Sequence, residues 1–185
     1  MTKQQQLDQI KKKVETTSLP LKEGATQIVF GDGNPNSKLF FLGEAPGRFE
    51  DLEGKPFVGQ SGKLLDRLLQ QVGLTKKDVY ITSLVFYRPP GNRTPTLKEF
   101  LAFDEFIDKQ IAVVDPKVIV SLGRFSLQKF IPGVKISQLH GQIQDINWRG
   151  KKIKLLPLYH PAAALRSPLV MELLKADFKK IKQLL

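Results

Sequence analysis

The sequence of 185 residues contains no cysteine. Disulfide bonds, thiolate metal sites and a cysteine nucleophile are therefore excluded. Histidine is also scarce, because only His140 and His160 occur. A metal site built from several histidines is therefore not expected, and we predict a protein without a metal or other cofactor.

Long apolar runs are absent as well. The first residues, MTKQQQLDQIKKK, have no apolar core like that of a signal peptide. No apolar run approaches the ~20 residues that a membrane span needs. We therefore expect a protein without a membrane segment, located in the cytoplasm and associated with the nucleoid.

Basic residues outnumber acidic ones. Lysine and arginine total 29 against 18 aspartates and glutamates, which gives a formal net charge of +11. Such an excess favours a polyanionic partner, with nucleic acid first and an anionic membrane second. Lysines on the solvated surface of a soluble protein explain the excess equally well.

The hydropathy pattern predicts one α/β domain spanning residues 1–185, with buried parallel strands separated by amphipathic helices. Hydrophobic residues make up 41% of the chain, enough for a single core. The predicted strands are Leu39–Gly43, Val79–Val85, Lys117–Leu122 and Ile153–Tyr159. The predicted helices are Leu7–Val14, Gly62–Val72, Thr96–Val113 and Pro168–Leu185.

Glycine and proline cluster after three of the strands, in the segments GEAPG, RPPGNRTP and HPAAALRSP. Because ligands bind at the carboxyl ends of parallel strands, these three loops are expected to share one cleft. The first loop runs from Gly43 through Glu44 and Ala45 to Gly62. Its glycines suit either a structural turn or an anion site, although the spacing is not that of a phosphate-binding P-loop.

The side chains of the other two loops each allow two interpretations, one structural and one functional. His160 follows a buried strand and is either a structural histidine or a catalytic one. The middle loop adds Arg88, Asn92 and Arg93, and its two arginines either hold phosphates or are ordinary surface charges. The residue types alone do not separate these alternatives.

Taken together, the loops resemble family 4 of the uracil-DNA glycosylase superfamily, whose pattern combines GEAPG, PFVG, RPPxNRxP and a late HPA motif. The matches occur in the same order from residue 31 to residue 165. The resemblance implies a three-layer α/β/α sandwich with a central, mostly parallel four-stranded sheet. It also implies an enzyme that flips uracil, or another deaminated base, out of DNA and hydrolyses its N-glycosidic bond.

Residue roles follow from the resemblance position by position. Phe57 would stack on the flipped base, and His160 would donate a hydrogen bond to the departing uracil oxygen. Glu44 and Glu50 are the candidates for activating water, and Glu50 would also contact the base. Backbone groups of Gly43, Glu44 and Ala45 would line the pocket with Ser83. Leu165 or Arg166 would fill the gap left in the DNA, beside contacts from Arg88, Asn92 and Arg93.

Two departures from the family pattern stand out. The iron-sulfur cluster of family 4 needs four cysteines, and the matching positions here are Thr16, Leu19, Tyr87 and Phe103. We expect aromatic packing to replace the cluster. Ser83 stands where the family has an asparagine that reads the uracil edge, so a wider choice of deaminated bases is expected.

Three functions remain possible on the sequence alone. The first is a monomeric, monofunctional glycosylase acting on DNA that contains uracil or another deaminated base. The second is a catalytically weak DNA- or uracil-binding module on the same fold, suggested by Ala45 and Ser83. The third is an unrelated phosphate-binding α/β enzyme, which requires the four-motif match to be accidental.

Overall fold

The computed structural model describes residues 1–185 and contains one six-stranded sheet flanked by helices. The strands are β1 (Asp32–Gly33), β2 (Leu39–Gly43), β3 (Tyr80–Ser83), β4 (Val118–Leu122), β5 (Gln144–Trp148) and β6 (Lys151–Leu158). Their order across the sheet is β1-β3-β2-β4-β6-β5. The α/β class is confirmed, but the sheet has six strands rather than four.

The four central strands are those predicted from the sequence, and they pair in parallel. The two additional strands, β1 and β5, pair antiparallel at the two edges. β5 was not predicted because its sequence, QDINW, alternates half-buried and exposed residues instead of forming an apolar run.

The main helices are α1 (Lys3–Thr16), α3 (Gln60–Gln71), α4 (Leu97–Val114) and α8 (Pro168–Phe178). All four were predicted, but α8 gives way to a 3₁₀ helix over Lys179–Leu184. The shorter helices are α2 (Arg48–Glu53), α5 (Arg124–Phe130), α6 (Ile136–Leu139) and α7 (Pro161–Ala164). These short helices are not among those predicted above.

The sheet separates two apolar cores. Alternate residues of β2 show this, since Phe40 and Leu42 belong to one core while Leu39 and Phe41 belong to the other. The first core includes residues of α1 and α4, and the second includes residues of α3 and α8. Helices therefore cover both faces of the sheet, as in a three-layer sandwich.

The carboxyl ends of the parallel strands position the site. Because β2, β3, β4 and β6 are parallel and adjacent, their carboxyl ends lie along one edge of the sheet. The segments that follow these strands begin with Glu44, Leu84, Gly123 and Tyr159. None of the helices combines the length and apolarity that a membrane crossing requires.

Candidate active site

A cavity of about 930 Å³ opens at the carboxyl edge of the sheet. It is lined by residues from all four segments that follow the central strands. Three of these segments are the loops singled out in the sequence. The fourth follows β4 and was not predicted, although the strand KVIVSL is followed by a glycine there too.

His160 follows β6 and caps the amino terminus of α7. Its Nδ1 accepts a hydrogen bond of 3.0 Å from the backbone N–H of Ala162. An accepting Nδ1 carries no proton, so the neutral ring carries its proton on Nε2. Burial, with a smaller effect of the Arg166 charge, lowers the pKa of His160 to about 4, so the ring is neutral at physiological pH.

The Phe57 ring lies beside His160 in the cavity. The two rings are stacked, with their centroids 5.7 Å apart and an angle of 29° between their planes. Gly43 makes this position possible, because a Cβ atom there would lie 2.7 Å from the Phe57 ring. Gly123 plays the same part for the histidine, since a Cβ at that position would lie 3.1 Å from His160 Cβ.

The backbone of Phe57 adopts a left-handed conformation, with φ of 54°. Such a conformation costs a bulky residue roughly 1 to 3 kcal/mol and persists only where neighbouring groups enforce it. Here the Lys76 ammonium donates a hydrogen bond to the Phe57 carbonyl. Gly62 lets α3 approach the same carbonyl, because a Cβ there would lie 1.8 Å from the oxygen.

Glu50 ties these loops together. One carboxylate oxygen accepts hydrogen bonds from the backbone N–H groups of Val58 (2.9 Å) and Gly59 (2.8 Å). The other accepts from the N–H of Gly47 at 3.1 Å. These contacts place Glu50 as an anchor of the cavity wall, and its carboxylate is already committed to backbone groups. This arrangement disfavours the predicted role of Glu50 in activating water.

Glu44 differs from Glu50 because its side chain makes no hydrogen bond to protein and lines the cavity. Burial raises the pKa of Glu44, and the positive charge of Arg124 opposes that rise. Arg124 begins α5, after the fourth strand end, and sequence analysis missed it. Ala45 and Ser83 complete this wall. Ser83 is 4% exposed and its hydroxyl has no hydrogen-bond partner in the protein.

The arginines of the middle loop are less free than the sequence indicated. Arg93 forms a two-fold hydrogen bond with Glu99, at 2.8 and 2.7 Å, and this contact lowers the pKa of Glu99 to about 2. Glu99 occupies the Arg93 fork, which disfavours the predicted phosphate contact of Arg93. Arg88 donates to the Asn92 side chain at 2.7 Å, which braces the same loop.

Two predicted DNA-contacting residues follow α7. Leu165 is 43% exposed, as a side chain entering the DNA stack requires. Arg166 is exposed and lines the cavity, and its Nε donates to the Ala162 carbonyl at 3.2 Å. Both side chains lie within a few residues of His160 in the chain.

The residues at the four iron-sulfur positions do not fit a cluster. None of the four supplies a thiolate, and the Thr16 hydroxyl donates instead to backbone carbonyls of its own helix. Leu19 packs against the first apolar core. Tyr87 and Phe103 are buried in that core, with ring centroids 6.1 Å apart. Apolar side chains occupy this region.

The fold and site together define an α/β protein with a cavity at the carboxyl edge of its sheet, lined by the stacked rings of Phe57 and His160. The model of the uracil DNA glycosylase superfamily matches residues 30–185, and the chain belongs to that superfamily. The resemblance inferred from the loop motifs is thereby confirmed.

Individual relatives carry a narrower name. The chain is 43% identical over 164 residues to the type-4 uracil-DNA glycosylase of Archaeoglobus fulgidus, covering 86% of this chain and 82% of the relative. It is 43% identical over 151 residues to the type-4 uracil-DNA glycosylase of Thermotoga maritima, covering 82% and 78%. The Saccharolobus solfataricus enzyme of the same name is 44% identical over 161 residues, covering 84% and 74%.

Proposed function

We propose that this protein is a monofunctional DNA glycosylase that removes uracil, or a related deaminated base, from DNA and leaves an abasic site for base excision repair. The observation that carries this proposal is the state of His160. A neutral imidazole with its proton on Nε2 is stacked on Phe57 in a cavity formed by four strand ends. The relatives are named type-4 uracil-DNA glycosylases, and this name supports uracil in DNA as the substrate of the present protein.

The chemistry of the reaction explains why a neutral histidine suits the site. Breaking the N-glycosidic bond places negative charge on the uracil O2 atom and positive charge on the sugar. The His160 Nε2–H group can donate to that oxygen, as can backbone N–H groups near Glu44 and Ala45. Donors that are fixed before the reaction stabilise developing charge without reorganisation.

Glu44 is our candidate for assisting the water molecule. It is the cavity carboxylate that is not committed to backbone hydrogen bonds, and it carries negative charge that also favours the cationic sugar. Glu50 would act indirectly, by holding the loop that presents Phe57 to the flipped base.

DNA contacts would come from the loops that border the cavity. Arg166, Arg88 and Asn92 would contact the backbone, and Leu165 would enter the gap in the base stack. Arg93 would shape the loop through Glu99. We expect the protein to act as a monomer, on DNA in the cytoplasm.

The test uses labelled oligonucleotides that carry one uracil, hypoxanthine, xanthine or mismatched thymine, treated with alkali after incubation. We expect strand breaks at uracil that weaken strongly with His160→Ala. His140→Ala is the matched control, because His140 pairs with Asp177 at 2.6 Å and does not line the cavity. Tight DNA binding without breaks at any base would instead favour a binding module.

Ser83 should set the range of bases. A single hydroxyl satisfies the N3–H and O4 groups of uracil less fully than an amide does. Ser83→Asn should therefore increase the preference for uracil over hypoxanthine and xanthine in the same assay, by roughly ten-fold for a gained two-fold base contact. An unchanged preference would contradict this role.

A further inference from the structure

The outer part of the cavity offers an aromatic and cationic surface that the flipped base does not need. The cavity volume of about 930 Å³ is near the upper end of the range for ligand pockets in proteins. Such a volume is larger than one pyrimidine base needs. The buried Phe57 and the half-buried His160 line it. Phe49 of α2 and the consecutive residues Arg124 and Phe125 of α5 also line it, and we call these three residues the flanking shelf.

Phe49 is the most unusual member of the shelf. Its ring is 54% exposed although it borders a cavity, so much of its apolar area remains in water. A base stacked on an aromatic ring contributes roughly 1 to 3 kcal/mol, and any of the bases can do so. Phe49 therefore supplies a stacking surface without sequence preference.

Arg124 supplies the charge that such a ligand would need. Its guanidinium lies over the Phe125 ring at 4.5 Å, and Phe125 is held in turn by Phe100, with ring centroids 5.1 Å apart. Arg124 takes part in none of the salt bridges of the molecule. An exposed arginine that forms no salt bridge is suited to a phosphate.

We propose that the flanking shelf binds the nucleotide next to the flipped one on the same DNA strand, with its base on Phe49 and its phosphate on Arg124. This inference rests on the proposed glycosylase function. A neighbouring base can reach Phe49 only when it is not stacked and paired in a duplex, so the shelf favours single-stranded over double-stranded substrate.

The test of the base contact measures uracil release from single-stranded oligonucleotides in which the neighbour on the 5′ or the 3′ side is either a normal nucleotide or an abasic analogue. Phe49→Ala should reduce kcat/KM on the normal strand by about ten-fold. It should have little effect when the neighbour that stacks is abasic. Leu52→Ala is the control, because Leu52 is on the same helix with the same 54% exposure but does not line the cavity.

The phosphate contact has its own arm. Replacing one neighbouring phosphate by an uncharged methylphosphonate should slow uracil release by the wild type and leave the rate of Arg124→Gln unchanged. Arg67→Gln is the control and should behave like the wild type, because Arg67 is exposed and lies outside the cavity. Equal losses for Phe49→Ala with normal and abasic neighbours, or no single-strand preference, would overturn the proposal.

Failure of the proposed function is separable from failure of the shelf. If the wild type releases no uracil, fluorescence anisotropy with uracil-free single strands still compares the same variants. Weaker binding by Phe49→Ala on strands with bases, but not on fully abasic strands, would then support the shelf. Equal binding on both strands would overturn it.

Discussion

At the scale of single residues, the site divides according to which polar atoms are already bonded. The two glutamates of the first loop illustrate this. Glu50 accepts three backbone hydrogen bonds, whereas Glu44 makes none and faces the cavity. The sequence identified both residues but could not separate them, because hydrogen bonds to distant backbone groups are a property of the folded loops.

The pH dependence of excision should report Glu44. Its raised pKa means that the carboxylate becomes protonated at a higher pH than an ordinary glutamate. A general base works only when unprotonated, so the single-turnover rate should fall as the pH drops through that pKa. Arg124→Gln should move this acid limb to higher pH, because the charge that opposes the rise is removed. The pKa of His160 is about 4, so its ring stays neutral at all but the lowest pH values of the measurement.

The measurement is the single-turnover rate with saturating enzyme, taken at intervals from about pH 8 to about pH 4. Glu44→Gln should be slow and should lose the limb. An acid limb that is the same in wild type, Glu44→Gln and Arg124→Gln would contradict the role given to Glu44.

Glu50→Gln tests the anchoring role. An amide group keeps one acceptor oxygen and loses the charge, so we expect a loss of about 2 kcal/mol in the free energy of unfolding. Denaturant unfolding measures it. Glu53→Gln is the control, since Glu53 is exposed at the end of the same helix. If Glu50→Gln abolished excision with an unchanged unfolding midpoint, Glu50 would be a chemical participant instead.

At the scale of helices and strands, the apolar pattern predicted the buried strands and the long helices. It missed the short helices. The four central strands and four long helices have continuous or periodic apolar residues. The helices α2, α5 and α6 have seven residues or fewer, too few to establish a period. Two of them carry Phe49 and Arg124, so the missed elements also account for the missed site residues.

The same patterning explains how the fold is maintained without a cluster. Phe103 of α4 is fully buried. Its ring centroid lies 5.4 Å from that of Phe86 and 6.1 Å from that of Tyr87. Phe103→Ala should lower the free energy of unfolding by about 3 to 5 kcal/mol. Leu101→Ala, on the same helix but 62% exposed, should change it by less than about 0.5 kcal/mol. Urea unfolding of the two variants checks this.

Iron analysis provides the complementary result. The purified wild type should be colourless, with no stoichiometric iron, and the unfolding midpoint should not change with a chelator. Brown protein with stoichiometric iron, or a Phe103→Ala variant as stable as the wild type, would contradict replacement of the cluster by packing.

At the scale of the whole molecule, the charge of +11 should act through a few positions rather than uniformly. Each phosphate neutralised on binding contributes to the dependence of affinity on salt. Arg166→Gln and Arg124→Gln should each reduce the slope of log K against log salt by about one. Arg93→Gln should leave it nearly unchanged, because Glu99 already neutralises that side chain. Equal slopes for all three variants would contradict this assignment.

The charge excess illustrates what composition can and cannot predict. The total indicated a polyanionic partner, but it could not say which arginines remain available. Arg93 was expected to bind DNA and is paired with Glu99, while Arg124 was overlooked, lines the cavity and forms no salt bridge. Both outcomes depend on neighbours that come together only in the folded chain.

The most direct test of the central claim is to measure free uracil released from a single-stranded oligonucleotide by mass spectrometry, together with the mass of the remaining strand. Wild type should release one uracil per strand and leave an intact strand with an abasic site. His160→Ala should be slower by two orders of magnitude or more, as for loss of one preorganised donor (about 10² to 10³ in rate), and His140→Ala should match the wild type. If the wild type released no base, or if His160→Ala released it as fast, the proposed mechanism would be contradicted.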